Sequence, residues 1–218
     1  LPTLDVDKTQ QLSVRGSASL NLGEGVVVAV VKGFALDIAR ADVVTGNDAL
    51  GTLQAANVLS MSLADASLFV GVGGALSADR SGVEARADAV GFRAQGASLS
   101  MAAVGKGSTS FTGVQVGLAK AALLGVPGLD LEVTNAQVRV NLTTGAAGQR
   151  IDWDSATTAP STPSNLLPTL DVDKTQQLSV RGSASLNLGE GVVVAVVNDF
   201  AMDMARADVV TGNDALGT

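Results

Sequence analysis

Amide and carboxylate side chains beside glycines are the residues of this chain with the types and spacing to bind a cation. Residues 46–51 are Gly-Asn-Asp-Ala-Leu-Gly, and the same six residues return at 212–217. They match part of a calcium-binding turn pattern, in which glycines permit tight turns and Asp carboxylates hold the ion between stacked turns. Asn-Asp beside Gly is also ordinary turn chemistry. The candidate calcium ligands are therefore Asn47, Asp48, Asn213 and Asp214, with a plain turn as the alternative.

A second acidic pattern occurs near the start of the chain. Asp5 and Asp7 are two residues apart and would share one face of a strand, and Asp171 and Asp173 repeat the arrangement. Such a pair predicts either a shared calcium ion or a solvated start of a strand.

The only tryptophan is flanked by acids. Asp152 and Asp154 enclose Trp153. An indole between carboxylates can stack against a sugar, which makes these three residues candidate ligand-binding residues. The ring can equally cap the end of a core built from small side chains.

Composition removes most catalytic chemistry. The chain has no histidine, cysteine or tyrosine, so it lacks the commonest general base, a thiol nucleophile and every Cys/His zinc site. No spacing singles out a serine with a base, or two carboxylates for glycoside hydrolysis. We expect no enzyme activity and no cofactor, apart from the calcium considered above.

Charge and hydropathy limit the partners. The net charge of −7 leaves no basic stripe to neutralise phosphates, so we expect no nucleic acid partner. The longest apolar run, residues 26–31, is far shorter than the roughly 20 residues of a membrane-spanning helix. A cysteine-free acidic chain is typical of secreted bacterial proteins, and we expect an extracellular or bacterial cell-surface location.

The elements that must position these residues are strands. Apolar and polar residues alternate along 12–22 and again in segments up to residue 142, which predicts half-buried strands. The phase changes at Ala64-Asp65-Ala66, which indicates a bulge or a sharp corner. Turns are predicted at 32–33, 73–74, 105–107 and 145–148.

A short spacing leaves the architecture open. Small-residue triplets begin at Ala18, Ala41, Ala64 and Ala87, at intervals of 23 residues (41 − 18). This spacing suits one rung of a β-solenoid, with small residues at the corners. The fold class is all-β, and two architectures remain: a β-solenoid-like coil or an elongated antiparallel β-sandwich, repeated in tandem.

The chain contains a long repeat. Residues 1–52 return at 167–218, a period of 166 residues (167 − 1), and differ only at 32/198, 33/199, 36/202 and 38/204. We predict an all-β module over 1–154, a Pro/Ser/Thr linker over 155–166, and the start of the next repeat over 167–218. The strands of 167–218 would alternatively complete the preceding module.

Residues 125–145 carry a resemblance. The segment includes Pro-Gly-Leu-Asp-Leu and Asn-Leu-Thr-Thr-Gly, and it resembles the repeats of very large, repetitive bacterial exoproteins, the surface-adhesin and RTX-associated class. The Ala-Ser-Leu strands at 66–70 and 97–101 look similar to other parts of those repeats. The resemblance implies a secreted or surface-displayed structural array, with no catalytic residues to carry over.

Two functions follow as expectations. The first is a structural repeat of an extended extracellular fibre, stalk or sheath. Its partners are neighbouring repeats of the same chain, with lateral self-association into fibres. The second is a multivalent adhesin module that binds a glycan or a surface through Trp153 and nearby acids.

Overall fold

The computed structural model describes residues 10–145, 148–162 and 164–206. Within these ranges the chain forms one all-β sheet of eight strands, which lie side by side in sequence order. The strands are β1 (Gln10–Leu22), β2 (Val27–Val44), β3 (Thr52–Leu76), β4 (Val83–Lys106), β5 (Thr109–Leu124), β6 (Leu129–Thr144), β7 (Gln176–Leu188) and β8 (Val193–Ala205). Across the same ranges, no helix has the length and apolarity needed to cross a membrane.

The all-β prediction is confirmed, and the strand pairing corrects the architecture. Each strand pairs antiparallel with its neighbour in sequence. A solenoid coil would stack parallel strands joined by crossovers. The sheet is instead an open meander, and no second sheet faces it among the described residues.

The strands are longer than the sequence pattern predicts. β3 has 25 residues and β4 has 24, whereas a typical strand has about 5–6. Two predicted turns were wrong, because residues 32–33 lie inside β2 and residues 73–74 lie inside β3. The predicted turn at 105–107 is confirmed at the end of β4, where Gly107 takes the left-handed conformation with φ 60°.

A row of β-bulges crosses the sheet. Its left-handed residues, which we call the bulge row, have φ between 50° and 82°: Gly33, Asp65, Gly96, Asn135 and Asp199. Strand register shifts beside them, between β1 and β2, β3 and β4, β6 and β7, and β7 and β8. The bulge predicted at Ala64-Asp65-Ala66 is confirmed. Because a bulge adds local twist and bends its strand, the row gives the sheet one line of bending.

The small-residue triplets that recur every 23 residues lie at or beside register shifts between strands. Register shifts occur at Gly16/Ala18, at Ala41/Val43 and at Leu63/Ala66. The shift at Val72/Gly74 faces the part of β4 that contains the fourth triplet. Small side chains therefore recur where strands bulge within a meander, and they do not form solenoid corners.

Two apolar clusters lie on either side of the bulge row. One contains Val28, Val30 and Phe69 with residues near the tip of the β3–β4 hairpin, including Val83. The other contains the opposite ends of the same strands together with residues that follow β6. Each half of the sheet therefore has its own thin core, and each core needs a separate covering segment.

The β3–β4 tip depends on two facing glycines. Gly71 pairs with Gly91, and a Cβ at Gly71 would lie 2.1 Å from the carbonyl oxygen of Val90. We predict that Gly71→Ala lowers the free energy of unfolding by about 1–3 kcal/mol, because the backbone must move to admit the methyl group. Urea unfolding measures this change.

Gly105→Ala is the matched control within the same sheet. A Cβ at Gly105 would meet no atom within 4 Å, so its effect should stay within about 0.5 kcal/mol. Equal effects of the two substitutions would show that the close backbone approach at Gly71 is unimportant.

Candidate functional site

Residues 151–172, here called the cover segment, pack on one end of the sheet. Their buried apolar side chains are those of Ile151, Trp153, Ala156, Leu167, Leu170 and Val172. They meet small residues of three strands, together with one phenylalanine of β5: Ala41, Val43, Ala56, Val58, Ala102, Val104 and Phe111. The strands thus present mainly a shallow Ala/Val surface, and the large side chains that fill the core come largely from outside the sheet.

Trp153 lies inside this core. Its side chain is 3% exposed, and its Nε1 donates a hydrogen bond to Oδ1 of Asn141 at 3.0 Å. Gly113 lies directly beneath the ring, since a Cβ there would come within 2.7 Å of the indole. Trp153 therefore fills the end of the core, and its buried indole offers no face on which a sugar could stack.

Asn141 of β6 connects the sheet to the first residue of the cover segment and to the residue that directly follows it. It is fully buried, and its Nδ2 donates to the carbonyl oxygens of Ile151 and Asp173, both at 2.9 Å. Together with the Trp153 bond, one amide satisfies three partners. Sequence patterns miss this role, because Asn141 lies on the polar side of the alternation in β6.

Within 155–166, the range predicted as a linker, the described residues Thr157 and Thr158 pack against the sheet. Thr157 exchanges two backbone hydrogen bonds with Val44, at 2.9 and 3.0 Å. Thr158 is fully buried, and its backbone N–H donates to Oδ1 of Asn165 at 2.9 Å. Small polar residues can be buried here because they satisfy one another locally, which composition alone does not reveal.

The acids beside Trp153 have different surroundings. Asp154 is exposed, whereas Asp152 is partly buried. Burial raises the pKa of Asp152 above its ordinary value, and the negative charge of Asp173 raises it further. The pKa of Asp173 is lowered, chiefly because the Thr175 hydroxyl donates to its carboxylate. The carboxylate that repels that of Asp152 thus comes from the second copy of the repeat. The sequence does not predict this proximity.

The predicted Asp171–Asp173 pair is divided between separate partners. Asp171 is exposed and forms an ion pair with Arg139. Asp173 accepts hydrogen bonds from the residues that follow it. Because each carboxylate has its own partners, the two do not form one ligand set. Their copies, Asp5 and Asp7, lie outside the described residues.

The predicted calcium turn has the geometry of a plain turn. Asn47 is buried, its Oδ1 accepts from the backbone N–H of Ala49 at 3.1 Å, and its Nδ2 donates to the carbonyl oxygen of Arg150 at 2.8 Å. Asp48 is exposed. Asn213 and Asp214 lie outside the described residues. Within the described ranges, no three acidic, histidine or cysteine side chains come close enough to hold a metal ion.

An open cleft of about 460 Å³ lies beside this turn, and it is lined by Asn47, Gly148, Gln149, Arg150, Lys174, Thr175, Ala205 and Arg206. Its cations include Arg206, which is the copy of Arg40. In β2, Nε of Arg40 donates to the carbonyl oxygen of Ala55 in the adjacent strand, at 3.2 Å.

The two copies of the repeated hairpin have unequal surroundings. β2 of the first copy pairs with β3, and β7 of the second copy pairs with β6. Among the described residues, no strand pairs with the outer edge of β1 or of β8. Ser13 of β1 is exposed, whereas its copy Ser179 is 1% exposed. The first copy therefore has a neighbouring strand only beside β2, and the second copy has one only beside β7.

Comparison with protein-family models, with curated proteins and with solved structures finds no match for this chain.

Removing the Asn141 amide should detach the cover segment. We predict that Asn141→Ala lowers the free energy of unfolding by roughly 2–5 kcal/mol, because a buried indole N–H and two carbonyl oxygens lose their partner. Fluorescence of the single tryptophan measures detachment as a red shift. Asn57→Ala, at an exposed position of β3, is the control, and an equal loss there would contradict the role of Asn141.

Asp152→Asn should stabilise the protein at neutral pH. Because folding raises the pKa of Asp152, its ionised form opposes folding above the unfolded value of 3.8. The gain in melting temperature should be present at pH 7, shrink as the pH falls through the folded pKa, and vanish below the unfolded value. Asp154→Asn controls for the loss of one charge. A gain that persists below pH 3.8 would contradict this explanation.

Proposed function

We propose that the chain is a structural repeat of an extended extracellular fibre, stalk or sheath, built from tandem β modules and without catalysis. The observation that carries the proposal is the pairing of β6 with β7. β6 belongs to the first 166-residue period, and β7 opens the second. A sheet that runs across a period boundary allows a chain to lengthen by adding periods, each of which contacts its neighbours.

The contacts at this boundary resemble those inside the period. β6 and β7 pair from Leu129↔Leu188 to Val140↔Leu178, and apolar residues such as Val138 and Val180 lie directly opposite each other. Cross-strand apolar pairs add stability to the backbone ladder. Side chains of β7, such as that of Ser179, are also buried beside this neighbour. These contacts support the proposal that the sheet is continuous and stable across the period boundary.

The remaining support concerns location and ligands. The likeness of residues 125–145 to repeats of large bacterial exoproteins, together with the cysteine-free composition, supports an extracellular site. An adhesin would need an exposed recognition group. Trp153, the residue predicted for that role, is enclosed by the core, which favours the structural function.

The test is the dimension of longer arrays. Chains of two, four and eight periods should form particles whose contour length, measured by electron cryomicroscopy, rises in proportion to the number of periods. Compact particles, whose longest dimension barely grows, would overturn the proposal. A parallel series with a calcium chelator should give the same lengths, and collapse only in chelator would assign calcium a structural role.

A further inference from the structure

Side chains of β8 are exposed to solvent at positions where their copies in β2 are buried. Val28 and Val30 are 0% and 4% exposed, whereas their copies Val194 and Val196 are 63% and 60% exposed. The two strands share the same local sequence here. The difference therefore comes entirely from what each strand packs against.

Two parts of the β3–β4 hairpin cover β2. First, β3 supplies a full antiparallel ladder to β2, from Val27↔Val70 to Val44↔Thr52. Second, the hairpin tip packs Val83 and neighbouring apolar residues against Val28 and Val30. The backbone N–H of Gly74 also donates to the carbonyl oxygen of Gly25 in the β1–β2 turn, at 3.1 Å.

β8 repeats the local sequence of β2, but within the described part of the chain neither a strand ladder on its outer edge nor a hairpin tip covers it. No strand pairs with its outer edge among the described residues. Its exposed large apolar residues are Val193, Val194, Val196, Val197, Met202 and Met204. An open edge with apolar side chains is a surface for strand addition.

We propose that β8 is the docking strand for the β3–β4 hairpin of a second copy of the period, which adds to it in the register used by β2. In that register Val193 faces Val70, Met202 faces Met61 and Met204 faces Leu59, as their copies in β2 do. The hairpin tip then covers Val194 and Val196. This inference rests on the proposed function and names the junction through which the array would continue.

The positions that differ between the copies are compatible with this partner. Leu36 and Ile38 become Met202 and Met204, which remain apolar and adaptable. Gly33 becomes Asp199, and both take the left-handed conformation at the bulge row, with φ 82° and 51°. The ion pair Lys32–Asp65 is lost in the second copy, but it is exposed at both ends, where such pairs contribute little.

The test extends the full chain by its own sequence. Thr218 is the copy of Thr52, so adding residues 53–165 after Thr218 continues the period without a break. Because the chain has no cysteine, Val196→Cys gives a single reactive thiol. Maleimide labelling of Cys at 196 should be fast in the 218-residue chain and at least about 10-fold slower in the extended chain.

Val30→Cys is the matched control, since position 30 is already covered and should label slowly in both chains. A second control extends the chain by residues 107–165 only, which supply β5 and β6 without the β3–β4 hairpin. Unchanged labelling at 196 in the first extended chain would overturn the proposal, as would equal protection by the second extension. Protection at 196 in a dimer of the 218-residue chain would assign β8 to an edge strand of a second chain, β1 or β8, and overturn the proposal too.

The register has its own test. Ala201 is the copy of Ala35, which faces Ser62, and directly opposed residues lie within disulfide reach. Ala201→Cys should cross-link to Ser62→Cys of the added segment but not to Leu63→Cys. Cross-linking only at the shifted position would overturn the register. If β8 stays bare while contour length still grows with period number, this junction fails and the structural function stands.

Discussion

The structure depends on one constraint: every strand must have both of its edges satisfied by a neighbour. Antiparallel pairing between strands adjacent in sequence meets this constraint for β2 to β7, whereas β1 and β8 each have one unpaired edge among the described residues. The repeated hairpin shows how far the constraint extends, since one copy has β3 beside it and the other has β6. Superposing the two surroundings gives a hairpin with neighbours on both sides, which no single copy has within the described residues.

Burial follows from this arrangement because a single sheet cannot cover its own faces. The strands carry mainly Ala and Val on the covered surfaces, and the large buried side chains are Phe69 and Phe111 of the strands together with those of the cover segment. Asn141 and Trp153 fix the cover segment by a buried hydrogen bond. Thin cores of this kind tolerate little change in volume, because small residues and glycines let large groups approach the backbone.

Local patterns predicted the strands but could not predict their connections. Alternation identified the all-β class, and the phase change at Asp65 identified a bulge, because both depend on neighbouring residues. Prolines and small polar residues predict a linker over 155–166 because they bury little apolar surface. Composition does not reveal that Thr157 bonds to Val44 or that Thr158 bonds to Asn165. The repulsion between Asp152 and Asp173 likewise acts between residues of two repeats. Asp5, Asp7, Asn213 and Asp214 lie outside the described residues, so their calcium prediction stays a prediction.

The bulge row has a consequence for how such sheets stay separate. Amyloid forms when flat sheets stack face to face with their side chains interdigitated, and flatness over many strands is its geometric requirement. Left-handed residues in β2, β3, β4, β6 and β8, from Gly33 to Asp199, bend those strands, and bent strands do not meet that requirement. A chain made of long, valine-rich strands can thereby add strands at its edge while its faces remain unsuited to layering into plaques.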